Sequence, residues 1–258
     1  MNSCPDAPCK LELTGITKWF KVDGVPLKAL EDVSLHARAG EFVSIIGPSG
    51  CGKSTLFNII CGLLEPDEGQ VLLDGQAASR RAGLVGYMPQ KDLLLPWRSV
   101  LDNVILGPEL RGEDLRESRR EARELIPLFG LEGFADAYPA VLSGGMKQRA
   151  ALLRTFLTHR EVLLLDEPFG ALDALTRMEL QEWLLGVWAR FRKTILFITH
   201  DVDEALFLSD RVYVMTPRPG RVKAVLAVPL ARPRRRSMTA SPEFAALRYQ
   251  LLEALAVR

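Results

Sequence analysis

Three features of this 258-residue sequence predict an α/β fold. Four short, mostly apolar segments, 42–46, 162–165, 194–199 and 212–215, are separated by stretches at helical spacing, which is the pattern of a parallel sheet covered on both faces. Ahead of them, residues 11–38 alternate apolar and polar side chains in short runs such as Leu11-Glu12-Leu13 and Val33-Ser34-Leu35, as antiparallel strands do. Between the first two apolar segments, from about residue 91 to 157, Arg, Glu, Leu and Ala predominate. Leu115, Ala122, Leu125 and Leu128 fall there at helical spacing. The expected architecture is therefore an α/β core with an N-terminal antiparallel β-subdomain and an inserted α-helical subdomain.

The elements follow in order. Residues 1–10 read as a disordered leader and 11–230 as the folded body. Ala39-Gly40 is a turn, the segment 42–46 a strand running into a glycine-rich loop, and 55–64 a buried helix. Pro127 lies within the helical pattern of the insertion and is expected to kink or end it. The last part, 231–258, holds the basic run Arg232-Pro233-Arg234-Arg235-Arg236, read as a solvated linker, and then a helix over 242–256.

Composition narrows the class. Basic and acidic residues balance to a net charge of +1, so no global field points to nucleic acid or an anionic membrane. Four scattered cysteines (Cys4, Cys9, Cys51, Cys61) and three histidines suggest neither a zinc site nor a disulfide framework. No apolar run approaches the roughly 18 residues of a spanning helix, so a task at a membrane would require another subunit.

The motif Gly47-Pro48-Ser49-Gly50-Cys51-Gly52-Lys53-Ser54 fits G-x-x-x-x-G-K-[ST], with a predicted strand before it and a helix after. Its glycines let backbone N–H groups turn inward around phosphate oxygens, and the helix N-terminus adds its positive end. Lys53 is expected to reach the β- and γ-phosphates, Ser54 to ligate Mg²⁺ and Thr55 to add a phosphate contact. A second motif, Val162-Leu163-Leu164-Leu165-Asp166-Glu167, ends an apolar strand in two carboxylates, at the sheet edge where open α/β sheets bind ligands. Asp166 is expected to hold Mg²⁺ through water, and Glu167 to act as general base toward the attacking water. Together the two motifs define a P-loop NTPase core.

With Leu142-Ser143-Gly144-Gly145-Met146-Lys147-Gln148-Arg149, which is similar to the signature LSGGQ, the chain resembles the ABC ATPases. The inserted helical subdomain is then the one that carries this signature. The resemblance implies that Ser143, Gly144 and Gly145 contact, in trans, ATP held by a second copy, so that two ATP molecules lie head to tail in a homodimer. Met146 departs from the commonest Gln at a position that mostly packs. The resemblance further implies that Gln90 senses Mg²⁺ and the attacking water, that Asp173 belongs to the D-loop, and that His200 contacts the γ-phosphate. Phe20 would stack on adenine, with Trp19 a weaker candidate.

Within the family, Leu94-Leu95-Pro96-Trp97-Arg98-Ser99-Val100-Leu101-Asp102-Asn103-Val104 and the LSGGM form resemble the importer branch for nitrate, sulfonates and taurine. Tyr87-Met88-Pro89-Gln90 is similar to relatives assigned to thiamine precursors. This implies two transmembrane permease subunits, indirect cooperation with a solute-binding protein, no nucleic-acid partner, and a peripheral position on the cytoplasmic face of the plasma membrane. The alternative is an ABC ATPase acting on nucleic acid or the ribosome, for which Arg232 to Arg236 form the one basic cluster. The stretch Leu93-Leu94-Leu95-Pro96-Trp97 is read either as a groove that receives a permease helix or as packing within the helical subdomain. The chain leaves no room after the cassette for a large regulatory domain, so direct sensing of cargo is not expected.

Overall fold

A computed structural model of the protein describes residues 8–78 and 80–256. Most of the expected leader lies outside them, and strand β1 (Cys9–Val22) already begins at Cys9. A tight turn joins β1 to β2 (Val25–Arg38). It is formed by Asp23 and Gly24, both at positive φ, as a two-residue hairpin requires. Leu11 and Leu13 are buried while Glu12 and Thr14 are exposed, so the period-two pattern of the sequence marks the covered face.

β3 (Phe42–Ile46) leads through the glycine-rich loop into α1 (Lys53–Ile60). β4 (Glu68–Leu73), β5 (Gln76–Ala77) and β6 (Gly86–Met88) follow, none of them marked by a clear apolar pattern. β4 pairs with β1, which completes an antiparallel sheet of order β2-β1-β4-β5. The helical insertion consists of α2 (Val100–Val104), α3 (Leu106–Leu110), α4 (Leu115–Leu125) and α5 (Gly144–Phe156). Ser99, Asp114 and Ser143 cap α2, α4 and α5 through side-chain oxygens. α4 closes two residues before Pro127, as its missing N–H dictates. Ala122 is buried, but Leu115 at the start of α4 is exposed.

The main sheet adds β7 (Val162–Asp166), α6 (Ala174–Phe191), β8 (Thr194–Thr199), α7 (Val202–Leu208), β9 (Arg211–Met215), β10 (Val222–Ala227) and α8 (Pro242–Leu255). Its order is β10-β9-β3-β8-β7-β6, parallel except for β10. Alternate residues of the central strands enter opposite cores. Phe42, Leu163, Leu165, Ile195 and Phe197 pack toward the helical side, whereas Val43, Ile45, Leu164, Leu196 and Ile198 pack with α1 and the antiparallel sheet. Burial on both faces accounts for the unbroken apolar character of these segments.

The basic run does not form the solvated linker expected of it. Arg232 pairs with Asp210 at 2.8 Å, and Arg234 is buried. The Arg234 guanidinium donates to the carbonyls of Leu206, Phe207 and Ser209 at the end of α7, and to those of Val228 and Leu230. The last carbonyls of α7 have no partner within the helix, and a forked cation satisfies several of them at once. Burial, with Arg232 beside it, lowers the Arg234 pKa to about 9. Arg236 reaches the Met178 carbonyl and Gln181. The run is thus an internal clamp rather than a free basic patch. Arg234→Ala should strand these carbonyls and destabilise the fold by about 3 kcal/mol or more. Urea unfolding of the variant against wild type measures the loss, and a change below about 1 kcal/mol would mean that water replaces the guanidinium.

Candidate functional site

The site is built where β3 ends. Gly50 and Gly52 adopt φ of 73° and 106°, and Gly52 is the residue from which α1 starts. Neither position suits a side chain. A Cβ on Gly52 would lie 2.6 Å from the Leu30 side chain, and one on Gly47 would lie 3.0 Å from Met215. The loop therefore closes against the protein body, leaving its other side for a ligand. Lys53 Nζ lies within this loop and donates to the carbonyls of Gly47 at 2.8 Å and Pro48 at 3.1 Å. Cys51 is buried in the core and lines no part of the cleft.

A cleft of about 650 Å³ opens beside the loop. Ser49, Gly50, Gly52, Lys53, Ser54 and Thr55 line one side, Gln90, Glu167 and His200 another, and Phe20 stands at the hairpin end. Gly47 and Pro48 belong to the loop but not to the lining. Trp19, the weaker candidate for base stacking, is outside the cleft with the Lys28 ammonium 4.5 Å from its ring centre. Asp166 ends β7 almost fully buried. Burial raises its pKa above the usual carboxylate value, partly offset by a hydrogen bond from Ser54 and the charge of Lys53. Ser54, Asp166 and the Gln90 amide offer oxygen donors alone, the donor set that Mg²⁺ prefers.

Glu167 follows in the left-handed region, φ 46°, an uncommon place for a residue with a side chain. Its N–H is held by the Ile198 carbonyl at 3.0 Å. Its carboxylate Oε2 accepts from Gln90 Nε2 at 3.3 Å and lies 3.3 Å from His200 Nδ1. Three residues from three strand ends thus meet on one carboxylate oxygen, next to the phosphate-type loop. Behind His200, Thr199 donates to the buried Glu204, which also accepts from Gln181 at 2.7 Å.

Ser143, Gly144, Gly145 and Asp173 do not line this cleft. Ser143 and Gly144 are exposed at the start of α5, where the Ser143 hydroxyl accepts from the Met146 N–H. Gly145 is buried, and a Cβ there would stand 3.0 Å from Thr176 of α6. Asp173 caps α6, and its hydrogen bonds from Thr176 hold its carboxyl below the usual pKa. Within one copy these four residues are not brought to the cleft. Sequence reasoning missed Arg218, which lines the cleft and donates to the Gly50 carbonyl at 3.0 Å. It precedes an irregular turn before β10, and no spacing pattern announces it.

Comparison with known proteins agrees with this geometry. The family described as ABC transporter matches residues 30–170. The taurine import ATP-binding protein TauB of Rhizobium johnstonii is 47% identical over 88% of this chain and 89% of its own. An aliphatic sulfonates import ATP-binding protein, SsuB of Bacillus cereus, is 38% identical over 94% of each. Among solved structures, a dimeric ATP-binding cassette in a post-hydrolysis state with ADP and Pi superposes with a TM-score of 0.74. It is 32% identical, over 86% of this chain and all of the other. The chain belongs to the ABC transporter family. It is an ATP-binding ATPase of that family.

Gly52→Ala tests the loop. The added methyl has no room beside fully buried Leu30 and forces a positive φ on alanine. ATP affinity measured by equilibrium dialysis should fall at least about tenfold, while circular dichroism of the folded body is retained.

Proposed function

We propose that this chain is the motor subunit of an importer for a small sulfonate- or taurine-like solute. In this reading two copies form a head-to-tail dimer on two membrane-spanning subunits, and a solute-binding protein delivers cargo to those subunits. The observation that carries the catalytic part is the Glu167 carboxylate held between Gln90 and His200 beside the Lys53 loop. The import role is supported by the names of the taurine and sulfonate relatives, and the dimer by the solved dimeric cassette. No helix among the described residues is long and apolar enough to cross a membrane, and in this reading partner subunits supply the passage.

The mechanism follows from the side chains. The loop N–H groups and Lys53 bind the β- and γ-phosphates of ATP, and Phe20 stacks on its base. Ser54, Asp166 and Gln90 would hold Mg²⁺, which would supply charge neutralisation at the phosphate oxygens. Glu167 accepts a proton from the attacking water, with Gln90 orienting that water and His200 donating toward the γ-phosphate. Ser143, Gly144 and Gly145 of a second copy close the site at the N-terminus of α5, with Asp173 at the same interface.

Glu167→Gln separates binding from chemistry. A neutral amide cannot accept the proton, so hydrolysis should fall about a hundredfold or more while ATP affinity is kept. The protein should then elute as an ATP-dependent dimer in size-exclusion chromatography. A monomer with normal turnover would refute the shared site.

Coupling runs through the loop after Gln90. Asn103 is buried and fixes this loop, accepting from Leu95 N–H at 2.7 Å and donating to the carbonyls of Leu95, Arg98 and Ser99. Arg154 holds the Leu93 carbonyl at 2.7 Å. Leu94 is buried, while Leu93 and Trp97 are exposed, Trp97 to 71%. A tryptophan presented on a fixed loop is a suitable anchor for a membrane partner. Trp97→Ala should leave ATP turnover of the free subunit within about twofold yet reduce solute uptake by the reconstituted complex about tenfold. Equal loss in both assays would indicate a folding role instead.

A further inference from the structure

A second cavity, of about 360 Å³, shares no lining residue with the nucleotide cleft. It lies between the C-terminal half of α6 and the segment after β10. Three arginines line it, Arg192, Arg232 and Arg234, the last with its guanidinium turned onto backbone carbonyls. Leu185, Trp188 and Ala189 supply an apolar wall. Arg232 and Arg192 lie 4.1 and 5.0 Å from the Trp188 ring centre, so two cations share one aromatic ring.

The charges do not balance. Asp210 serves both Arg232, at 2.8 Å, and Arg234, at 4.0 Å. Glu182 at the cavity wall is engaged by Arg236 at 3.6 Å. No described carboxylate lies within ion-pair distance of Arg192. Three cations against the single Asp210 carboxylate leave an excess of positive charge next to a low-dielectric wall. Burial and the neighbouring Arg232 accordingly lower the Arg234 pKa, and its Nε has no hydrogen-bond partner. Arg192 also occupies the left-handed position just past α6, at φ 54°, where glycine is the usual residue. A long cationic side chain is kept at a position whose backbone favours none.

We propose that this cavity binds a small organic oxyanion, its head paired with Arg192 in the positive field of Arg232 and Arg234 and its apolar body laid against Leu185 and Trp188. Guanidinium forks suit planar oxyanions, and the wall favours a ligand with a ring or short chain over a bare inorganic ion.

The test uses the full chain with its nucleotide cleft saturated by ADP. Isothermal titration with benzoate should give a Kd of about 1 mM or tighter, with benzamide and inorganic phosphate each at least about tenfold weaker. Two variants remove the site without opening the core. Arg192→Gly places glycine at a backbone angle that suits it, and Gly186→Glu adds a carboxylate where a Cβ meets nothing within 4 Å. Both should keep the wild-type melting temperature and ADP affinity, and both should weaken benzoate at least about tenfold. Absence of benzoate binding, displacement of benzoate by ADP, or wild-type benzoate affinity in both variants would each overturn the proposal.

Discussion

The structure depends on a central strand, β3, that is buried on both faces and hydrogen-bonded on both edges. Such a strand cannot shift its register without expelling residues from two cores at once. Its C-terminal end is therefore a fixed point, and the phosphate-type loop grows from it. The other proposed site residues stand at the ends of neighbouring strands: Asp166 closes β7 and Glu167 follows it, His200 follows β8, and Gln90 lies just past β6. The parallel arrangement brings these ends to one edge, because parallel neighbours deliver their C-termini to the same side.

Asp210 secures the opposite end of the same strand. Its carboxylate accepts from the Phe42 N–H at 3.0 Å, its own N–H donates to the Phe42 carbonyl at 2.7 Å, and Arg232 pairs with its other oxygen. One partly buried acid thus joins β3, the turn before β9 and the segment after β10. Arg232 is anchored by the same contact and Arg234 by the carbonyls around α7, which is why part of a run that reads as surface charge ends in the interior. Desolvated cations persist there because helix-end carbonyls and one carboxylate take most of their donors.

Glycines at the site show how packing and function share residues. Gly52 gives the loop its turn and lets Leu30 approach. Gly145 lets α5 lie close to α6 at Thr176, which leaves Ser143 and Gly144 exposed at the helix start. Adjacent small residues thus divide the work: buried Gly145 packs, and Ser143 and Gly144 stay on the surface at the helix N-terminus.

The sequence by itself determined the phosphate-type loop, the acidic end of β7 and the both-face burial of four strands. Each of these rests on local pattern: glycine spacing, a strand-to-helix transition, and an unbroken apolar run. Gln90, His200 and Phe20 were legible through the family resemblance, since a single Gln, His or Phe carries no spacing of its own. Strands β4, β6 and β10 were not legible, because each is short or half-exposed and owes its pairing to a neighbour distant in sequence. Arg218 at the cleft and the inward turn of Arg232 and Arg234 were likewise decided only by tertiary structure. A guanidinium looks the same in sequence whether water or buried carbonyls receive it, and only the packed arrangement of α7, β9 and β10 makes the interior partners available.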